Sequence, residues 1–388
     1  MTSIGFSLIG GRTWVGGLNY QVNLIKSILE YEHVRIQPVL FMGLDVSSDI
    51  LTRFSGIHGL IMVQSEVFNQ DNKLPRLLKA LVWGIDQSTA DIFAQHQIDV
   101  VFESADFYGW RFPFKVIAWI PDLQHRRLRH LFGFLAYWKR EIGFRVQIAG
   151  GRHIMLSSED ARSDFLKFYS LALEKIHVVK FAVPVELVNQ RPKDVIDEYG
   201  LPEHFFYMPN QFWRHKNHEC VVQALNILRR DGKEVVIAVS GNQNDHRDKT
   251  YFPKIKAMVE AYGLEPYFRT LGVIPYQHVQ ALMQASAAII NPSRFEGWST
   301  TVEEAKSLGV GMILSDLNVH KEQAGDDAIY FDANNPDQLA ELLLNYKQLS
   351  LEEKFQSSAS ALSQSNLRVA TFAKVFSDMV VKIQSGKL

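Results

Sequence analysis

A single cysteine, Cys220, stands in a chain of 388 residues. No disulfide can form within the chain, which fits a reducing compartment. An excess charge of one sign is missing too. Lysines and arginines number 41 against 42 aspartates and glutamates, a formal net charge of −1. That balance gives no global pull toward nucleic acid or an acidic surface, so nucleic acid is not expected as a partner. No apolar run approaches the roughly 18 residues of a membrane-spanning helix. No basic cluster precedes the apolar start at Met1–Gly11, so a signal peptide is not expected either. The expected location is cytoplasmic. Low-complexity segments and short repeats are also lacking. What remains is an ordinary globular composition, 47% hydrophobic and 21% charged, long enough for two or three domains with separate cores.

Short apolar runs alternate with helical patterns from end to end. Strands are expected at 3–9, 35–41, 59–63, 99–102, 115–120, 153–157 and 175–179. A second set is expected at 205–208, 234–240, 269–273, 287–290, 311–315 and 328–331. Helical patterns lie between most of them, including 18–31 and one long stretch from Leu128 to Gln147. Continuous apolar strands joined through helices predict parallel sheets covered on both faces. The proline-bearing stretch 184–203 reads as a boundary. It predicts an α/β chain of two doubly wound domains, 1–190 and 191–366, with a helix at 367–388 that packs back on the first. Ligands of such sheets meet the carboxyl ends of the strands, so a cleft between the domains is the expected site.

Four segments carry candidate chemistry. "NPSRFEGWSTTVEEAKSLG" (291–309) puts Glu296 in a loop and Glu303–Glu304 inside the helix that follows. Thr300 or Thr301 is expected to cap that helix and Gly309 to end it. With Val302, Ala305 and Leu308 as the buried stripe, Glu303 should point to solvent and Glu304 to the flank. Free amides at the helix start suit a phosphate; the plain alternative is a capped helix with acids at its positive end. "PNQFWRHKNHECVVQAL" (209–225) crowds Arg214, His215, Lys216 and His218 at a helix start, where cations oppose the dipole and an anion would compensate. The plain alternative is a solvated basic loop. The two histidines lack acidic or cysteine companions, so no metal is expected. "SLIGGRTWVGGLNYQV" (7–22) is a strand, a glycine-rich loop and a helix, in which Gly16 and Gly17 permit close approach of a ligand. It fits neither a dinucleotide fingerprint nor a Walker motif. "KVIAWIPDLQHRRLRHLF" (115–132) sets Asp122 and His125 just beyond a strand end, with His125 able to orient a sugar or move a proton; Asp122 reads equally as a cap. Cys220 reads as core. The run FGFLAYWKREIGFRVQ (132–147) is aromatic and basic, either core plus solvated face or a membrane contact.

Taken in order, these segments resemble the retaining nucleotide-sugar glycosyltransferases of group 1, also called family 4, in their polysaccharide-synthesis branch. "NPSRFEGWSTTVEEA" is similar to that family's E-x7-E signature, "PNQFWRHKN" to its phosphate loop, and "TLGVIPYQHVQALMQASAAIINPS" to the segment before the signature. The match covers about 204–345 well and the first domain in patches. The resemblance implies a GT-B fold, two Rossmann-like domains facing across a cleft. It implies Glu304 on the donor ribose and Glu296 on the transferred sugar. Ser299, Thr300 and Thr301, with Gly297 and Trp298 beside them, would meet the diphosphate, and Lys216 with Arg214 would neutralise it as it leaves. Val273 and Ile274 would contact the base, and Gly16 and Gly17 would lie near the diphosphate. There are departures. Ser299 stands where glycine is common and Thr301 where proline is. Gln211 replaces the usual arginine, with Arg214 as its substitute. Pro121-Asp122 replaces a His-Asp pair, leaving His125 to contact the sugar. The implied activity is retaining hexosyl transfer without a metal or other cofactor, from a nucleotide-diphosphate sugar, UDP preferred over GDP. The acceptor would be a saccharide or lipid-linked saccharide, with peripheral membrane contact as an open partner. The alternative is a non-catalytic nucleotide-sugar-binding subunit.

Overall fold

The computed structural model describes residues 1–9, 15–104, 106–185, 191–245, 247–349 and 351–386. The chain divides into two compact units. The first comprises 1–125, 133–182 and the chain from 367 onward; the second comprises 126–132 and 183–366. The division falls at Ala182/Val183. Pro192, which reads as a linker residue, instead opens a helix, where its missing N–H costs nothing.

Unit 1 is built on strands β1 (Thr2–Ser7), β2 (Ile36–Met42), β3 (Ile61–Gln64), β4 (Val100–Glu103), β5 (Lys115–Trp119), β6 (His153–Leu156) and β7 (Ile176–Val178). All pair in parallel, in the order β3-β2-β1-β4-β5-β6-β7. Its helices are α1 (Val15–Tyr31), α2 (Ser48–Ser55), α3 (Lys73–Val82), α4 (Gln87–Gln95), α5 (Gln124–Arg127, whose last two residues fall to unit 2), α6 (Phe134–Ala149) and α7 (Glu159–Phe168). Side-chain alternation gives the sheet two apolar faces. Leu40, Phe102 and Ile117 face α1 and α2, and Phe41, Val101 and Val116 face α4. The single helix expected from Leu128 to Gln147 is broken. A 3₁₀ turn covers Arg129–Leu131, and Gly133, in an extended conformation, starts α6. A glycine inside an apolar period leaves the pattern intact while ending the helix.

Unit 2 repeats the plan with β8 (Phe206–Met208), β9 (Ile237–Ser240), β10 (Phe268–Gly272), β11 (Ile289–Asn291), β12 (Met312–Ser315) and β13 (Ala328–Phe331), in the order β10-β9-β8-β11-β12-β13. Its helices are α8 (Pro192–Glu198), α9 (His218–Arg230), α10 (Tyr251–Tyr262), α11 (Tyr276–Ala285), α12 (Thr300–Leu308), α13 (Asn318–Ala324) and α14 (Pro336–Asn345). The last helix, α15 (Leu351–Ser385), starts in unit 2 and ends in unit 1, where Phe372, Phe376 and Val380 enter the core. All thirteen expected strands are present, shifted by a few residues at most.

Candidate donor site

The strand order of unit 2 reverses between β8 and β11, and polar side chains gather where those strands end. Asn210 follows β8, Asn291 ends β11 and Ser315 ends β12. All three are buried and tied into one network. Asn210 donates to Asn291 Oδ1 at 3.3 Å, Ser293 donates to the same atom at 2.7 Å, and Asn291 donates to Ser299 Oγ at 3.0 Å. Ser315 Oγ donates to the Ser293 carbonyl at 2.6 Å. Fully partnered buried groups of this kind hold a loop to one geometry.

The network presents the start of α12. Its cap is Ser299, not Thr300 or Thr301: Ser299 Oγ accepts from the Val302 N–H at 3.4 Å. The Glu303 N–H bonds the Ser299 carbonyl, so the remaining first-turn amides are those of Thr300 and Thr301. Gln323, on α13, clamps this end. It accepts from the Ser299 N–H at 3.1 Å and donates to the Ser299 carbonyl at 2.8 Å and to Glu303 Oε1 at 2.9 Å. Glu303 therefore does not reach solvent; it is 1% exposed. Helical spacing gave its direction but could not reveal that α13 covers that side. Gly309 ends α12 in the left-handed region, φ +68°, as expected.

Glu304 lies on the opposite flank and accepts from the Tyr276 hydroxyl at 2.8 Å. Burial pushes its carboxyl up to about 7, with Tyr276 opposing. Glu296 sits in the loop before the helix and meets Lys216 at 2.6 Å. Burial alone would raise its carboxyl, but the Lys216 ammonium outweighs that and holds it below the usual range. The loops bearing the pair are stitched together. The Arg294 N–H donates to the His215 carbonyl at 2.8 Å, and Asn217 Nδ2 donates to the Pro292 and Ala333 carbonyls at 3.0 and 2.8 Å. Asn217 makes this bridge from a left-handed conformation, φ +59°, which asparagine tolerates better than most residues.

The basic cluster is less basic than its sequence. Burial drives both His215 and His218 down to about 3, leaving them neutral. His218 stacks on Phe212 with ring centres 4.1 Å apart. Lys216 faces the site, whereas Arg214 is exposed and pairs with Asp248 at 3.3 Å. Gln211 is half-buried, Val273 exposed and Ile274 half-buried at the end of β10; Gly297 and Trp298 are half-buried beside Glu296. Tyr276, Gln323, Asn210 and Asn291 escaped the sequence reading. The signal for the last two was their place immediately after or at a strand end.

In unit 1 the candidates separate. Gly16 and Gly17 belong to the first turn of α1, not to a loop, and residues 10–14 lie outside the described residues. Asp122 accepts from the Gln124 N–H at 2.9 Å, starting α5, and pairs with Arg140 at 3.4 Å. His125 is fully buried, 3.2 Å from Glu141, which also accepts from the Tyr169 hydroxyl at 2.8 Å. A ring enclosed in this way meets no sugar; it braces α5 against α6. Cys220 is core, its thiol pushed up to about 12 by burial.

Two parallel sheets of this topology define a GT-B fold. Residues 193–360 match the family model of the group 1 glycosyl transferases. The chain is 24% identical to the O-antigen chain mannosyltransferase B of Escherichia coli over 197 residues, 49% of this chain and 50% of that protein. It is 22% identical to the O-antigen chain mannosyltransferase RfbU of Salmonella typhimurium over 206 residues, 53% of this chain and 54% of that protein. The matched part thus spans about half the length of these curated relatives. Over 98% of this chain and 100% of the other, the fold is similar to Anabaena HepE in complex with UDP and glucose, with a TM-score of 0.71 at 14% identity.

Proposed function

We propose that the chain transfers a hexosyl group from a nucleotide-diphosphate sugar to a saccharide or lipid-linked saccharide in surface-polysaccharide assembly, with retention at the anomeric carbon. The observation that carries this is the Lys216–Glu296 pair set beside the start of α12 at the strand ends of the unit that carries the group 1 match. Lys216 and the Thr300 and Thr301 amides would hold the diphosphate, Glu304 the ribose, and Glu296 a sugar hydroxyl. The acceptor hydroxyl attacks C1 on the face from which the diphosphate departs. The C1–O bond to phosphate breaks as the new one forms, and the hydroxyl proton passes to the leaving phosphate oxygen. Catalysis is orientation plus stabilisation of the departing charge by protein cations, without a metal. A UDP donor is supported by the fold shared with a UDP-bound protein, and mannose as the transferred sugar by the names of the curated relatives. Among the described residues, no helix is long and apolar enough to cross a membrane.

A thermal-shift panel of UDP- and GDP-hexoses is the direct test. A ligand at a hundred times its dissociation constant adds about 2.7 kcal/mol. No shift with any of them overturns the donor reading. NMR of the product anomer, with and without EDTA, tests the mechanism: an inverted product, or activity abolished by EDTA and restored by manganese, would falsify it.

A further inference from the structure

Among the described residues no cation acts on Glu304; burial and a single hydroxyl set the state of its carboxyl. That hydroxyl belongs to Tyr276, the first residue of α11, which follows Val273 and Ile274 past the end of β10. It donates to Glu304 Oε1 at 2.8 Å. The Tyr276 side chain is 51% exposed, so the bond is not a by-product of core packing. Glu304 Oε2 has no partner among the described residues and, unlike Glu303 Oε2, is not sealed from solvent. A carboxylate with one oxygen tied and the other open has a fixed plane and one accepting edge. Each oxygen carries two lone pairs, so the open one can take two hydroxyls, such as the vicinal pair of a ribose.

The other polar groups near Glu304 are engaged elsewhere. Tyr207 of β8, which feels its charge, shares a hydrogen bond with Ser240. His278 of α11 is turned to the Tyr199 hydroxyl at 2.8 Å, and Lys306 of α12 donates to the Gln323 carbonyl. A hydroxyl donor favours the charged form of a carboxyl. Without it, a buried carboxyl keeps its proton and presents a donor where the ribose hydroxyls need an acceptor. We propose that Tyr276 is a positioning residue of the donor site: its hydroxyl holds Glu304 as a carboxylate, with the open oxygen presented to the ribose diol of the donor. The proposal rests on the ribose reading of Glu304 and adds the residue that lets that reading work near neutral pH.

Calorimetric titration of UDP into the full chain from about pH 6 to about pH 9 tests this without turnover. Tyr276→Phe keeps the ring and removes the hydroxyl. Losing a hydrogen bond to a charged group moves the Glu304 carboxyl up by about one pH unit or more. UDP affinity of the variant should then be about five-fold lower than wild type at pH 7, and should meet the wild-type value by about pH 9, where the carboxyl is ionised in both. A packing role would lower affinity equally at every pH, and that outcome overturns the proposal. So does a profile unchanged from wild type. Tighter binding by Tyr276→Phe at pH 7 would make Tyr276 a plug that the ribose must displace, and likewise overturns it. Glu304→Gln tells the two possible failures apart. If it binds UDP as tightly as wild type at pH 8, the ribose assignment fails and the proposal with it. If it binds weakly while Tyr276→Phe follows the wild-type curve, only the role of Tyr276 fails.

Discussion

Glu304 and Glu296 are both buried carboxylates, yet their surroundings drive them apart. Glu304 has a hydroxyl for company and a carboxyl near 7; Glu296 has an ammonium and stays ionised. If Glu304 accepts ribose hydroxyls as a carboxylate, nucleotide binding must expel its proton. Affinity for UDP should then rise about ten-fold between pH 6 and pH 8, and Glu304→Gln should flatten that dependence. Calorimetry in buffers of different ionisation enthalpy reads the proton directly, and no release by the wild type would sink the ribose assignment. Lys216→Ala strands Glu296 as an uncompensated buried charge, a loss of about 3–5 kcal/mol. Lys216→Ala with Glu296→Gln should recover most of it in chemical denaturation. Transfer should not recover, because kcat depends on a cation at the leaving group. Glu303 was legible as a neighbour of Glu304 but not as a buried residue, because Gln323, which covers it, comes from another helix.

At the scale of elements, α12 depends on a cap and a clamp. Ser299→Ala removes a helix cap, about 1 kcal/mol, and strips Asn291 of its acceptor. Gln323→Met keeps the volume but breaks three bonds around Ser299 and Glu303. Both variants should weaken binding of the nucleoside diphosphate itself, measured by calorimetry, since the Thr300 and Thr301 amides lose their placement. An unchanged UDP affinity in Gln323→Met would show that the clamp serves only stability. Gly309→Ala should destabilise by about 1 kcal/mol or more in denaturant. Its φ is +68°, and the new Cβ would stand 2.7 Å from the Ser357 backbone.

Across unit 2 as a whole, buried titratable groups set a pH response. His215 and His218 fall to about 3 when folded, and burial lowers His320 as well. Between their unfolded value near 6.5 and those folded values the unfolded state binds more protons, so they remove stability as pH falls. Glu304, raised to about 7, works the other way between its unfolded value of 4.5 and 7. The two effects partly cancel from 6.5 to 4.5, and below 4.5 the histidines act together with Glu296, whose carboxyl Lys216 holds below the usual range. Unfolding temperature of unit 2 should therefore fall over the upper window, where the histidines outnumber Glu304, and fall more steeply below it. An unfolding temperature in scanning calorimetry that does not fall between pH 6.5 and 4.5 would contradict the burial of these rings.

The sequence by itself determined the strands, the alternation, the doubled parallel architecture and the four segments that carry chemistry. Each rests on local periodicity or on residues adjacent in the chain, and those survive without knowledge of neighbours. Only the tertiary structure decided which side chains face the site. Glu303 and His125 are enclosed by α13 and α6, Arg214 turns to Asp248, and His215 and His218 lose their charge. It also decided that α3 lies with its leucines outward, since its orientation is fixed by Asp86 and Asp106, residues that follow it in the chain. Burial and partner choice come from elements distant in sequence, and a side chain's charge and reach are set by them, not by its own spacing.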